Sequence, residues 1–404
     1  MKPYNFFLSR FFLPHLAAPV RARVAICCSF FIQGLTFATW CARIPDVKAN
    51  LGLNEAQLGT LLLMIPFGQL VSMVPNSQLV AKLGSRRMLL LSGFCYPAVL
   101  LALGWAPNVY ALVAALFSAG WIANLSNTSA NTQGVMLEHY YRRSIMSLFH
   151  GMWSCAGLVA VALAMVLGHF ATSIGLHFAL VVAGAWVLLS FSGGALLTHD
   201  RQAPKTEKKA LFGGWKLTVF IFWIGIASLG CMACEGTIYD WSGVYLRDVL
   251  QVPEAQQSFG YFGYLCTMVT GRFVADRLIN RYGVSKILYA CGLCISGGLA
   301  VAIAFSWCSP LVALTACVVG FALVGCGTSA VVPTCCGLAG KCRDLAPSIA
   351  IAEVSTIGFF GFLAAPPLIG YVAHATSLRV SFGMMAVIGL LVLIATYALR
   401  RDIK

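Results

Sequence analysis

Apolar residues come in long blocks, separated by short polar turns rich in glycine, proline and basic side chains. A helix rises 1.5 Å per residue, so about twenty mostly apolar residues cross the hydrocarbon core of a bilayer. Runs of that length lie near 22–43, 57–80, 87–105, 109–134, 145–168, 174–197, 217–245, 257–279, 286–307, 310–337, 347–372 and 378–399. The pattern predicts an all-α membrane protein with twelve transmembrane helices and no sizeable water-soluble domain. One long polar segment, 199–216, falls at the middle of the chain and carries Arg201, Lys205, Lys208 and Lys209. It reads as a linker between an N-terminal six-helix bundle (1–198) and a C-terminal one (217–404). The first residues are basic and then apolar, but Pro14, His15 and Pro19 break the run early. That predicts an uncleaved interfacial segment rather than a signal peptide.

Composition agrees with the pattern. Of 404 residues, 59% are apolar and 10% charged, against roughly 25% charged in a soluble domain. The net charge of +14 is scattered in short clusters between the apolar runs, which makes it a topology signal and not a nucleic-acid surface. If both termini lie on one side, only Arg43, Lys48, Arg247 and Arg379 of the 27 Lys and Arg fall on the other. The positive-inside rule then predicts cytoplasmic termini and a cytoplasmic linker. Sixteen cysteines sit almost entirely inside apolar runs. The CxxC pairs Cys231/Cys234 and Cys291/Cys294 lie within predicted spans without a nearby histidine cluster, which favours packing over redox or metal chemistry.

The halves repeat. Gly84 lies 199 residues before Gly283, Arg142 before Lys341, and Trp40 before Tyr239. Three equal offsets at corresponding topological places indicate a parallel internal duplication.

Twelve spans, a central linker and basic glycine turns after the second and eighth spans resemble the major facilitator superfamily over nearly the whole chain. The turns read Ala81-Lys82-Leu83-Gly84-Ser85-Arg86-Arg87 and Gly271-Arg272-Phe273 followed by Asn280-Arg281-Tyr282-Gly283. The family's aspartate is absent from both, replaced by Ala81 and Asn280, with Asp276 one turn earlier as the nearest substitute. Phe149-His150-Gly151-Met152-Trp153-Ser154, Glu235-Gly236-Thr237-Ile238-Tyr239-Asp240-Trp241 and Pro366-Pro367-Leu368-Ile369-Gly370 resemble the fucose-permease-like branch and its uncharacterised bacterial inner-membrane relatives. The resemblance implies two pseudo-symmetric bundles, alternating access, and a cavity lined by the first, fourth, seventh and tenth spans. It also implies gating by Lys82, Arg86, Arg87, Arg272, Asp276 and Arg281, and a monomer in the inner membrane.

Ionisable side chains inside a bilayer cost about 2.5–3.5 kcal/mol on insertion scales, so each is a candidate. Glu235, about 27 Å along the seventh span, is the leading proton-coupling and substrate-binding residue, with Tyr239 one turn away. Its alternative is a structural hydrogen bond. Glu353 and His150, 203 residues apart, are candidates for proton coupling or gating, against plain packing. Asn124, Asn127 and Asn131 share one face of the fourth span, and Gln33, Thr36, Trp40 and Arg43 one face of the first. These stripes suggest a site for a neutral, polyhydroxylated solute, with interhelical hydrogen bonding as the alternative. Neither a GxxxxGK[ST] loop nor HExxH is present. The expected function is proton-coupled transport of a small polar, sugar-like solute without a cofactor, not enzymatic catalysis. Export of amphipathic compounds and a non-transporting sensor are the competing readings.

Overall fold

The computed structural model describes residues 16–141, 145–198, 218–342 and 347–400. The helices are α1 (Ala18–Asn50), α2 (Glu55–Leu62), α3 (Met64–Leu83), α4 (Ser85–Gly104), α5 (Val109–Tyr141), α6 (Met146–His169) and α7 (Ile174–Ser192). They continue with α8 (Val219–Asp248), α9 (Phe259–Tyr282), α10 (Val284–Ala304), α11 (Pro310–Ala339), α12 (Pro347–Ala375) and α13 (Leu378–Ala398). No strand occurs among the described residues. The linker and the first fifteen residues lie outside them.

Among the described residues thirteen helices make twelve passes, because α2 and α3 form one. Pro66 has no N–H for the carbonyl of Leu62 and its ring crowds that carbonyl, so α2 stops there and α3 restarts. Among the described residues eleven passes are long and apolar enough to cross a membrane. The remaining pass, α9, is long enough but carries Arg272, Asp276, Arg277 and Arg281. The first pass runs past its predicted end, through Pro45 to Asn50. Lys48, beyond the predicted span, is therefore helical and buried, as is Arg43 at that span's end.

The internal duplication is visible in the backbone. Gly84, before α4, has φ 89° and ψ 142°; Gly283, before α10, has φ 89° and ψ 154°. Only glycine occupies that region comfortably, and another residue costs of order 1–3 kcal/mol there. Gly84→Ala and Gly283→Ala are each expected to lower the melting temperature of purified protein. Unchanged melting of both variants would show that the turns relax freely.

By packing, the chain forms two compact units, Met1–Arg43 with Met64–Glu207 and Ile44–Leu63 with Lys208–Lys404. The division passes through α1. In the first unit α5 packs on α3 and α4, and α4 on α7; Ile26, Phe30, Leu89, Leu137 and Phe149 form its core. In the second, α8 packs on α12 and α13 while α11 packs on α9 and α10. Tyr245, Phe321 and Phe382 form an aromatic core there, with centroids 4.5–6.3 Å apart. Large aromatics are exposed beside the helix-connecting turns, Trp105, Tyr110 and Phe170 in the first unit and Phe305 and Trp307 in the second. This is the placement expected at a membrane–water interface. All sixteen cysteines are free thiols.

Candidate functional site

Glu235 and Tyr239 stand four residues apart on α8, hence on one face. Glu235 is 8% exposed. The Tyr239 hydroxyl donates to its Oε1 at 2.6 Å, and Arg272 of α9 places Nη2 4.0 Å from the same oxygen. Aromatic rings enclose the group. Tyr239 meets Tyr261 and Tyr264 edge-on at 5.7 Å and Phe362 at 6.0 Å. The hydroxyls of Tyr264 and Thr328 are 3.1 Å apart. A buried carboxylate is tolerated when a donor and a counter-charge replace its lost water, and Glu235 has the Tyr239 hydroxyl and the Arg272 guanidinium. Arg272, placed among the gating cations by sequence, lies within a spanning helix and pairs with this acid. The side chain of Asp276 is outside the described residues.

In the first unit the α5 stripe divides. Asn124 accepts from Asn76 Nδ2 of α3 at 3.1 Å, a bond between helices. Asn127 is exposed and Asn131 half-buried, and Asn131 Nδ2 donates to Asn127 Oδ1 at 2.8 Å and to its carbonyl at 2.9 Å. On α1, Gln33 and Thr36 are buried and bond back to the carbonyls of Ser29 and Ile32. Thr36 and Trp40 border a void of about 10 Å³ with Ile65, Tyr96, Leu100 and Ala119. This is room for about one water, and among the described residues the Trp40 Nε1 donor has no partner. Arg43 Nε donates to His177 Nδ1 at 3.0 Å, which fixes that ring as the neutral tautomer protonated on Nε2. His150 is exposed, with its ring edge 5.1 Å from Phe30. Lys82 and Arg87 are exposed; Arg86 Nη2 donates to the Gly194 carbonyl at 3.3 Å. Arg281 is also exposed, over the Tyr282 ring.

A second polar cluster, at the last turn of α8, escaped the sequence reading. Lys48 is 8% exposed and its Nζ donates to Glu55 Oε1 at 2.8 Å and to Asp248. Arg247 donates to the Pro45 carbonyl, and His374 Nδ1 lies 4.0 Å from Glu55 Oε2. An acid such as Asp248 is unfavourable at a helix C-terminus; the ammonium of Lys48 offsets it. Alongside, α2 and α12 touch backbone to backbone: a Cβ at Gly59 would lie 2.6 Å from the Pro366 carbonyl oxygen. Thr60 and Tyr371 share a hydroxyl contact of 3.1 Å. The cluster holds residues 44–63 against α8 and α12. Helical periodicity carried no signal for it, since Lys48 and Asp248 lie 200 residues apart on different helices.

The sequence profile of the Major Facilitator Superfamily matches residues 25–341 and 244–404. An uncharacterized MFS-type transporter of Yersinia pestis is 33% identical over 392 residues, covering 96% of this chain and 97% of the relative. The membrane protein MosC of Rhizobium meliloti is 28% identical over 375 residues, covering 92% and 88%. Among solved structures, a mutant of the nucleoside transporter NupG aligns with TM-score 0.73 at 12% identity, covering 93% of this chain and 99% of that one. A bacterial homolog to the human lysosomal transporter Spinster, in an inward-facing and occupied conformation, aligns with TM-score 0.69 at 13% identity, covering 94% and 97%.

Proposed function

Because the chain belongs to the Major Facilitator Superfamily, and is therefore a multi-pass membrane transporter and not an enzyme, we propose that it carries a small, polar, sugar-like solute by alternating access, driven by protons. The termini face the cytoplasm on this reading, in a bacterial inner membrane. The observation that carries it is the Glu235–Tyr239–Arg272 trio set among aromatic rings inside the spanning region. A hydroxylated ring presents alternating polar edges and less polar faces. The trio offers an acceptor and two donors for the edges, and Tyr239, Tyr264 and Phe362 offer flat surfaces for the faces. Within the first unit, Asn127 and Asn131 carry neutral donors and acceptors of their own on one face of α5.

Thermal-shift screening of purified protein against sugars, sugar acids, amino sugars and nucleosides tests the substrate class, since a ligand of the native state raises its apparent stability. Asn127→Ala and Asn131→Ala are each expected to weaken the stabilising compound by about 0.5–1.5 kcal/mol, roughly two- to tenfold in Kd. Asn124→Ala should instead lower the melting temperature without ligand, because it breaks a bond between helices. Normal affinity in both α5 variants would remove these amides from the site.

The ring of aromatics around Glu235 also fits a second reading, export of amphipathic compounds. In that case apolar cations and dyes, not sugars, would stabilise the protein in the same screen.

A further inference from the structure

We infer that Glu353 carries a bound proton in this conformation and is the group that the transport cycle loads and unloads. The second clause rests on the proton-driven reading above; the first does not. Glu353 lies about 9 Å along α12 from Pro347. It is 3% exposed, and both carboxyl oxygens are closed to solvent without a hydrogen-bond partner. Glu235, also buried, has a hydroxyl and a guanidinium at hand. Among the described residues Glu353 has neither. A carboxylate without donors or a counter-charge is expelled from such a site or neutralised by a proton.

Among the described residues the elements around it offer no compensation. Gly225 packs against Ile357 and Ser228 against Gly358, so Glu353 stands level with the first turns of α8. Residues 219–228 there hold no titratable side chain. The helix α11 reaches α12 on either side of Glu353, through Gly340 at Ile351 and Cys336 at Ser355. Its titratable groups there are Cys335, near Ser228, Cys336, and exposed Lys341, which makes no ion pair with the acid among the described residues. On α13, Tyr397 and Arg400 are occupied with each other, the guanidinium carbon 3.6 Å from the ring centroid. Closed oxygens also leave no room for a hydrated metal cation. The proton is the one counter-ion small enough.

A conformational change that wets this face of α12 would let the acid ionise, and burial would make it take up a proton again. Such reciprocity between protonation and conformation is what coupling requires. Infrared spectroscopy of the reconstituted protein at neutral pH, without added solute, tests the bound proton. The carbonyl band of protonated carboxyls should contain a component in the parent that is lost in Glu353→Gln and retained in Glu235→Gln. An unchanged band in Glu353→Gln would overturn the assignment. Should that variant fail to purify, Glu353→Asp keeps an acid in an altered site and should shift the same band; an unshifted band would likewise overturn it. Glu353→Gln should also keep solute counterflow while losing accumulation driven by a pH gradient. A band that maps to Glu353 in a parent that does not respond to pH gradients would leave the bound proton standing and sink the proton-driven reading.

Discussion

Lys48→Ala is expected to raise amide hydrogen exchange across residues 44–63 by roughly tenfold or more, with little change in the core of the first unit. Removing one partner of a buried ion pair costs about 3–5 kcal/mol, because the other charge is left unpaired. Here both carboxylates retain about a quarter of their side-chain exposure, 27% for Glu55 and 28% for Asp248, so about 1–2 kcal/mol is the appropriate scale. That corresponds to about tenfold in an opening equilibrium. Asp248→Asn should have a smaller effect, since Glu55 still holds the ammonium. In the Lys48→Ala/Asp248→Ala double variant the effects should fall short of additive, as they do for groups in contact. Exchange mass spectrometry on the purified protein reads all three. Identical protection of 44–63 in Lys48→Ala would show that the backbone contact at Gly59 and Gly370, not charge, fastens the segment.

Arg272→Gln should abolish transport and weaken ligand-induced stabilisation at least tenfold, and it should also lower the melting temperature without ligand. It leaves Glu235 buried with a single neutral donor, and an under-served charge costs more than a missing pair. Adding Glu235→Gln to Arg272→Gln should recover the melting temperature, because both groups are then neutral, but should not recover transport. Recovery of both would mean that the pair serves stability alone. Recovery of neither would mean that Arg272 acts through other contacts.

The twelve passes were legible because the bilayer imposes a length and an apolarity that few other environments demand. The exception is instructive. The pass α9 shows as an apolar run over 257–279 although its cations fail a strict apolar test, and one of them, Arg272, reads as part of a basic turn because charge suggests exposure. Lys48 reads as a residue beyond the first span for the same reason. A cation in a spanning segment is tolerable when an acid from another helix meets it, and that partner lies far away in sequence. Lys48 meets Asp248 across 200 residues and Arg272 meets Glu235 across 37. Helical spacing correctly put Glu235 beside Tyr239, because both lie on one helix. It was insufficient for Thr36 and Trp40, whose polar stripe faces α3, α4 and α5. Periodicity identifies a shared face, not what that face meets. For the asparagines of α5 the outcome is mixed: Asn124 is spent on α3 while Asn127 stays open.

Solute accumulation in proteoliposomes under an imposed pH gradient tests the account's centre most directly. The solute should be one selected by thermal shift, with the external medium made more acid than the vesicle lumen. The protein should concentrate it above the external level, and a protonophore should abolish the excess while leaving counterflow intact. Equilibration to the external level with no response to the gradient, by a protein that the same solute stabilises, would contradict proton-driven transport.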